Sequence, residues 1–504
     1  MENIAIVLLN SDSIKMQFVH INKNKSFAPY KTITMPVNIT KDFYSDNFFK
    51  PAVIKEVVSI IKVYKQMMDA AEIKTALCYA TSLLNDAKNN NGVLNEIQNV
   101  TGLTFNVITP QDMINFNYTA VINTFNKPKS LIVDISNFNT TFVLYNRRNI
   151  IETKVIPMGY ETIYNKLDRS AGDAEKYCTE VENLFKQEIK DLSFALELPE
   201  EFEVVGVGNM FNNLGVLARK AKKYPLDLAH NFPVEKQDFD KVFGVLKTQD
   251  ILKPAKIKQV SLEDSKYLLT AFTMINTFWG LCNKDVVTIS RTGFIEGVAL
   301  NYAIPLTMEK PISDTLGYSL QTINEYYDNG NEVAVHNYNL SMILFKQLKV
   351  LHKLGRTYIR VLRIASYLHN AGARVNYHDK EKIAFNIILN SEIYGVSHAE
   401  IVMASFVAEL CDIDNFSLVE WVKYKDLLTD DDLQAVKKLA VILKIAEGLN
   451  ITGFGSVVDI NCDILGDSVI MKTIVNNDSM LEIKYASLVA NEFKKCFNKN
   501  LEII

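Results

Sequence analysis

No two of the six cysteines (Cys78, Cys178, Cys282, Cys411, Cys462 and Cys496) stand as a C-x-x-C pair. The sequence therefore offers neither a cysteine-based zinc site nor the framework of a disulfide-stapled secreted domain. A reduced, cytoplasmic setting fits that usage. An excess of positive charge is missing too. A formal net charge of -4 and a pI near 6.1 argue against a nucleic-acid or anionic-membrane partner. Long apolar runs are also missing. The most apolar stretch, Tyr267–Cys282, is interrupted by Thr270, Thr273, Asn276 and Thr277; it is too short and too polar to span a bilayer and reads as a core helix. The opening Met1–Leu9 has no basic region and no cleavage site of a signal peptide, and reads as a first strand. Gly206-x-Gly208 lacks the third glycine of G-x-G-x-x-G, which leaves a tight strand-to-helix turn as the better reading than a nucleotide loop. No low-complexity or proline-rich linker divides the chain.

What remains is an ordinary globular composition, 48% hydrophobic and 22% charged over 504 residues. At about 150 residues per domain this is room for three or four domains. The organising stretch is Leu131–Val143: a buried strand, the carboxylate of Asp134 at its end, a polar turn Ser136–Asn139, and a second strand. Ile6–Ser13 has the same plan 126 residues earlier than Ile132–Asn139 (132 − 6). A repeat on that scale predicts two similar α/β lobes. Between the hairpins, helices over Pro51–Ala71 and Ala87–Thr101 alternate with strands over Thr75–Thr81 and Leu103–Ile108. A helical tract from Gly159 to about Leu196, a strand and turn at Glu203–Met210, and Val286–Gly297 complete the second lobe. From about Pro311 to Gly448 helical periodicity dominates. The last fifty residues read as strands (Val457–Ile460, Ser468–Ile474, Leu481–Tyr485) and a final helix. The expected domains are 1–125, 126–305, 306–453 and 454–504.

The ordered motifs resemble those of the exopolyphosphatase/guanosine pentaphosphate phosphohydrolase (Ppx/GppA) family. Ala80-Thr-Ser82 through Asn89 resembles the family's A-T-S-A-x-R-x-A-x-N, and Thr101–Pro110 its T-G-[IL]-x-[IV]-x-[IV]-[IL]-[ST]-[GP]. Ile132–Phe142 resembles V-D-I-G-G-G-S-T-E-[LF], Ile156–Gly159 [LI]-P-[LM]-G, and Gly293–Gly297 G-L-R-E-G. In the long members an HD-like domain carries L-H-D-[IV]-G, resembled by Leu368–Gly372, N-S-x-x-x-G-[FL]-S, resembled by Asn390–Ser397, and a closing helix resembled by Leu439–Asn450. The resemblance implies an α/β fold: two actin/hexokinase-like (ribonuclease H-like) lobes, then an all-helical HD-like domain and a small α/β tail. It also implies release of terminal phosphate from polyphosphate or pppGpp in the interlobe cleft, a homodimer, and Mg²⁺ as cofactor if the protein is active. Such chemistry rests on positioning and charge neutralisation.

Carried over residue by residue, the family's site falls on Ser11, Ser13 and Lys15 in the first loop, Thr81 in the A-T-S block, Asp134, Asn137 and Asn139 in the second loop region, and Gly208. Asp134 is also the candidate metal ligand. The family's other groups are replaced. Leu8 and Asn10 stand for the first-loop Asp and Gly. Ser136, Asn137 and Phe138 stand for three glycines, Thr141 for a Glu, and Asn85 for an Arg. Met113 takes the place of the catalytic Glu, with Asp112 beside it as a displaced candidate base. In the HD-like motif Asn370 replaces the Asp, and Lys380, Glu381 and Ile383 stand where histidines are expected. His369, His378 and His398 therefore read as packed or hydrogen-bonded residues rather than metal ligands. Two readings follow. One is a degenerate member, weakly active or inactive, that binds polyphosphate, a guanosine polyphosphate or a protein partner. The alternative is an active phosphohydrolase using Asp112 and an Asp134-bound Mg²⁺.

Overall fold

The computed structural model describes the chain apart from residues 1, 41–42, 44–45, 148, 171, 193–197, 251–256, 305–311, 328–329 and 411–417. The end of the expected helical tract near Leu196, the expected boundary at 305/306 and the change of character at Pro311 lie outside the described residues. The chain forms two compact units, one of Met1–Tyr224 and Ala229–Ser313, the other of Pro225–Leu228 and Asp314–Ile504.

In the first unit, β1 (Glu2–Leu9), β2 (Ser13–Ile21) and β3 (Phe27–Pro36) form an antiparallel meander. The strands β4 (Thr75–Ala80) and β5 (Phe105–Val107) add in parallel, giving the order β3-β2-β1-β4-β5. The β1 residues Ala5, Val7 and Leu9 enter a core with α1 (Pro51–Ala70) and α2 (Asn90–Thr101). Proline at the start of α1 suits a position whose N–H has no helical partner. Val53, Val57, Ile61, Tyr64 and Met68 then recur at three- and four-residue spacing on its buried face, and Tyr64 donates its hydroxyl to Ile14 O at 2.8 Å.

The second sheet repeats this plan. A meander of β6 (Lys129–Ile135), β7 (Thr140–Asn146) and β8 (Asn149–Ile156) is extended in parallel by β9 (Glu203–Val207) and then β11 (Val286–Ile289). A further strand, β10 (Phe232–Glu235), closes the order β10-β11-β9-β6-β7-β8. Its helices are α4 (Tyr160–Lys166), α5 (Ala174–Ile189), α6 (Asn209–Lys222), α7 (Lys236–Lys247) and α8 (Leu262–Cys282), the last containing the apolar stretch read as a core helix. Two helices tie the halves together. α3 (Pro110–Thr124) follows the first sheet in sequence, yet its Ile114 and Val121 pack on Ile132, Val143 and Val205 of the second sheet. α3 crosses α9 (Phe294–Ala303) where Gly297 meets the Phe116 backbone; a Cβ on Gly297 would lie 2.0 Å from Phe116 O. The rings of Tyr79, Phe116 and Phe294 pack edge to face around that crossing.

Between Thr315 and Gly448 the described residues of the second unit are mainly helical, with the helices Asn331–Gln347, Tyr358–Leu368, Lys380–Asn390, His398–Glu409 and Asp430–Gly448 supplying much of its core. A three-stranded sheet follows, β12 (Val457–Ile464), β13 (Ser468–Val475) and β14 (Asn500–Ile503). One expectation is corrected here. Leu481–Tyr485 is not a strand but part of the helix Met480–Ser487. Its alternating apolar residues mislead because the buried positions are Glu482 and Ala486, four apart, while Leu481 and Tyr485 face outward. Among the described residues no helix is long and apolar enough to cross a membrane.

Candidate functional site: two loops joined by a buried carboxylate

The β1–β2 turn and the β6–β7 turn come from equivalent places in the two sheets, and Ser11 and Asn137 differ by the repeat offset of 126. They meet. Asn137 Nδ2 donates to Ser11 Oγ at 2.8 Å and to Glu161 Oε2 at 2.9 Å, and Ser11 Oγ donates to the same Glu161 oxygen at 3.1 Å. Tyr160 Oη donates to Asn137 Oδ1 at 2.6 Å, which fixes the orientation of the amide. Gly159 makes this approach possible, since a Cβ there would lie 2.2 Å from Ser136 O and 2.4 Å from Asn137 O. The N–H groups of Tyr160 and Glu161 donate to those two carbonyls at 3.1 and 3.0 Å, which serve the N-terminus of α4. Glu161 is buried. Burial pushes its carboxyl above the usual range and Asp12 adds to the rise, against the pull of Asn137, Ser11 and Lys266.

In front of this junction lies a cavity of about 110 Å³ lined by Asn10, Ser11, Thr81, Ser82, Asn137 and Asn139, with Ile108, Met113, Phe138 and Thr141 among the remainder. None of the lining residues carries a charge. Met113 faces the cavity. Its neighbour Asp112 is tied up at the start of α3, where Oδ2 accepts from the Thr109 N–H at 2.9 Å and from Thr109 Oγ1 at 2.7 Å in a capping box. The one-residue offset turns the carboxylate to the helix end and the thioether to the cleft.

Asp134 is the penultimate residue of β6, buried behind the loop, and does not line the cavity. Its Oδ2 accepts from Asn117 Nδ2 of α3 at 2.9 Å, whereas Oδ1 has no hydrogen-bond partner. Burial pushes its carboxyl up to about 6, opposed by the Ser136 hydroxyl and the Asn117 amide. Oδ1 faces Gly208, where a Cβ would lie 2.6 Å away; Gly208 itself turns from β9 into α6 with φ +93°. Mg²⁺ demands near-octahedral oxygen ligands, including a carboxylate or two. The orphaned Oδ1 is one such oxygen, but no second carboxylate accompanies it: Leu8, Met113 and Thr141 stand where others are expected. Among the described residues no three His, Cys, Asp or Glu side chains converge on a metal position. The donor set does not fit a protein-held Mg²⁺.

The structure thus brings Ser11, Thr81, Asn137 and Asn139 to one cavity and sets Asp134 and Gly208 behind it. Ser13 is turned to Asp12, donating to Oδ1 at 2.8 Å, and Lys15 lies along β2 opposite Leu8, outside the cavity lining. Glu161, Tyr160 and Asn117 are absent from the sequence reading. The first two directly follow the Ile156–Gly159 motif, and a polar residue just after a helix-starting glycine was the available signal.

In the helical unit, the residues compared with an HD-like site also converge. Lys380 Nζ donates to Asn370 Oδ1 at 2.9 Å and to Glu447 Oε1 at 3.0 Å. His369 is buried, with Nδ1 3.1 Å from Ser366 O and Nε2 2.9 Å from Asn370 Nδ2, a pattern that needs the neutral ring protonated on Nδ1. Burial lowers its pKa, against the pull of the Glu447 carboxyl 3.7 Å away. Burial opposes charge on both Lys380 and Glu447. Glu447 still holds the ammonium above its ordinary value, and His369 first, then Lys380, hold the carboxyl below its own. An ammonium occupies the centre of this group of donors and acceptors.

The model of the Ppx/GppA phosphatase family matches residues 19–303, more than half of the chain. The chain belongs to this family. The structure of a Ppx/GppA family member from Aquifex aeolicus is similar with a TM-score of 0.53 at 20% identity, over 61% of this chain and 99% of that one. An exopolyphosphatase from Cytophaga hutchinsonii matches with a TM-score of 0.55 at 14% identity, over 60% and 98%. At these identities the likeness shows the actin-like fold of the two lobes. A bifunctional 3-dehydroquinate synthase/phosphatase from Fusobacterium nucleatum is 22% identical over 238 residues, 45% of this chain and 36% of that protein. The chain therefore spans about a third of the length of this curated relative. The Ppx/GppA match ends before the helical unit, which lies outside it.

Proposed function

We propose that this Ppx/GppA protein binds a phosphorylated anion, polyphosphate or a guanosine polyphosphate, in the interlobe cleft and hydrolyses it weakly or not at all. The observation that carries the reading is the cavity lining: hydroxyls and amides able to donate to phosphate oxygens, with Met113 at the expected base position and no charged group beside it. Phosphoryl transfer needs a residue to direct water and positive charge to neutralise the transferring group. Asp112, held by Thr109, is directed elsewhere. Phosphate release from polyphosphate and pppGpp with Mg²⁺ is expected to stay near the uncatalysed background. Robust turnover lost on Asp134→Ala would sink the proposal. Binding is read separately by thermal shift with polyphosphate, pppGpp and ATP, since a ligand of the folded state raises its apparent stability.

One observation favours the second reading, an active exopolyphosphatase: the unpartnered Oδ1 of Asp134. That reading requires turnover that rises with Mg²⁺ and falls with both Asp134→Ala and Asp112→Ala. A homodimer in the cytoplasm is part of the first proposal and rests on family resemblance; light scattering that returned a monomer would remove it.

A further inference from the structure

We propose that Glu161 is the chain's own stand-in for the anion between the two loops, and that an external phosphate enters only by displacing it. This rests on the cleft reading above and deepens it by naming the group that sets anion affinity. A phosphate seated between the loops needs donors from both. The donors at this junction are the Ser11 hydroxyl and the Asn137 amide, and both are directed at one carboxylate oxygen, Glu161 Oε2. The same two side chains also bond each other at 2.8 Å and line the cavity, so they form the wall between the cavity and Glu161. Tyr160 holds the amide with its N–H groups toward Glu161. Hydrogen bonds to an ionised acceptor are about twice as strong as neutral ones, so the carboxylate competes for these donors on equal terms with a phosphate oxygen.

The far side of Glu161 strengthens the effect. It borders a second cavity of about 420 Å³ whose wall includes Asp12, Glu56, Glu263 and Tyr267, with Lys266 as the cation. Asp264 lies on α8 next to Glu263, and Tyr160 flanks Glu161 on its own helix. Along the described wall of this cavity three carboxylates, Asp12, Glu56 and Glu263, stand against Lys266, which disfavours a second anion beside Glu161.

The test measures tripolyphosphate binding by calorimetry on the full chain, comparing wild type with Glu161→Gln. Glutamine keeps an acceptor for Ser11 and Asn137 but removes the charge. The variant is expected to bind about tenfold tighter near neutral pH. Wild-type affinity is expected to climb toward that of the variant as the pH falls and Glu161 is neutralised. Adding Ser11→Ala to Glu161→Gln should take the gain back. Equal affinity in wild type and Glu161→Gln at every pH overturns the stand-in role while leaving the cleft reading intact. Absence of binding in both overturns the cleft reading and the predicted gain together. Amide exchange then judges the loop junction without any ligand: faster exchange at residues 10–13 and 136–139 in Glu161→Ala than in wild type is expected, and unchanged protection overturns the junction as well.

Discussion

At the residue scale, Asp134 is a carboxylate whose burial works against its own charge. Its carboxyl is pushed from 3.8 up to about 6, so the stability it contributes is full below 3.8 and is lost as the pH rises through about 6. At about 1.4 kcal/mol per unit, ionising it in place removes about 3 kcal/mol between pH 4 and 7. Asp134→Asn escapes this loss, since an amide oxygen can still accept from Asn117. The urea midpoint of the variant is expected to gain on wild type across that range, and a constant gap would refute the burial argument. Lys380 is the opposite case, a charge whose partner keeps it. Lys380→Met preserves the aliphatic stem and leaves Glu447 without its ammonium. Breaking a fully buried pair costs about 3–5 kcal/mol, but the Glu447 side chain keeps 29% exposure, so about 2 kcal/mol is expected. Glu447's carboxyl is held below 4.5, so this stability is present above that value and lost as the pH falls through its folded pKa. The gap between wild type and Lys380→Met should therefore close in acid; one that persists would mean the loss lies in packing.

At the scale of elements, the α3–α9 crossing turns on one glycine. A Cβ on Gly297 would lie 2.0 Å from Phe116 O and 2.6 Å from its carbonyl carbon, both backbone atoms that a rotamer change cannot move. Gly297→Ala is expected to cost about 3 kcal/mol in chemical denaturation. Gly244 in α7 has nothing within 4 Å of its Cβ position, and Gly244→Ala should stabilise by about 0.5–1 kcal/mol through helix propensity. If both substitutions behaved alike, the close approach at the crossing would be wrong. The hairpins, the repeat and α1 were legible because strand alternation and helical spacing are local signals. β3 and β8, sheet-edge strands with mostly exposed or half-exposed residues, gave no apolar pattern to read. Helix α3 carries no clean apolar stripe, because its buried positions include Asn117, Asn123 and Thr124. In the site, the cavity residues Ser11, Thr81, Asn137 and Asn139 were readable from motif position. The bond between Ser11 and Asn137 was not: only the fold sets equivalent turns of two lobes face to face, and only then does Glu161 have something to hold.

At the scale of the whole molecule, each unit carries a counter-charge of its own. In the first, a carboxylate sits among donors from two loops; in the second, an ammonium sits between oxygens of a turn and of a separate helix. In both a charged side chain already satisfies the polar groups gathered around it. Folding of the second unit is therefore expected to proceed without a bound metal. A structural cation bound only to the folded state would make stability fall on chelation, by an amount set by its concentration relative to Kd. Here thermal unfolding in excess EDTA and in excess MgCl₂ should coincide within about 1 °C, a difference of a few tenths of a kcal/mol for units of this size. Lys380→Met offers the contrast: with the ammonium gone, Glu447 and Asn370 are left to a solvent cation, and Mg²⁺ or Mn²⁺ should recover part of the lost stability. A wild-type protein that loses several degrees in EDTA would show that an external cation, and not Lys380, completes the second unit.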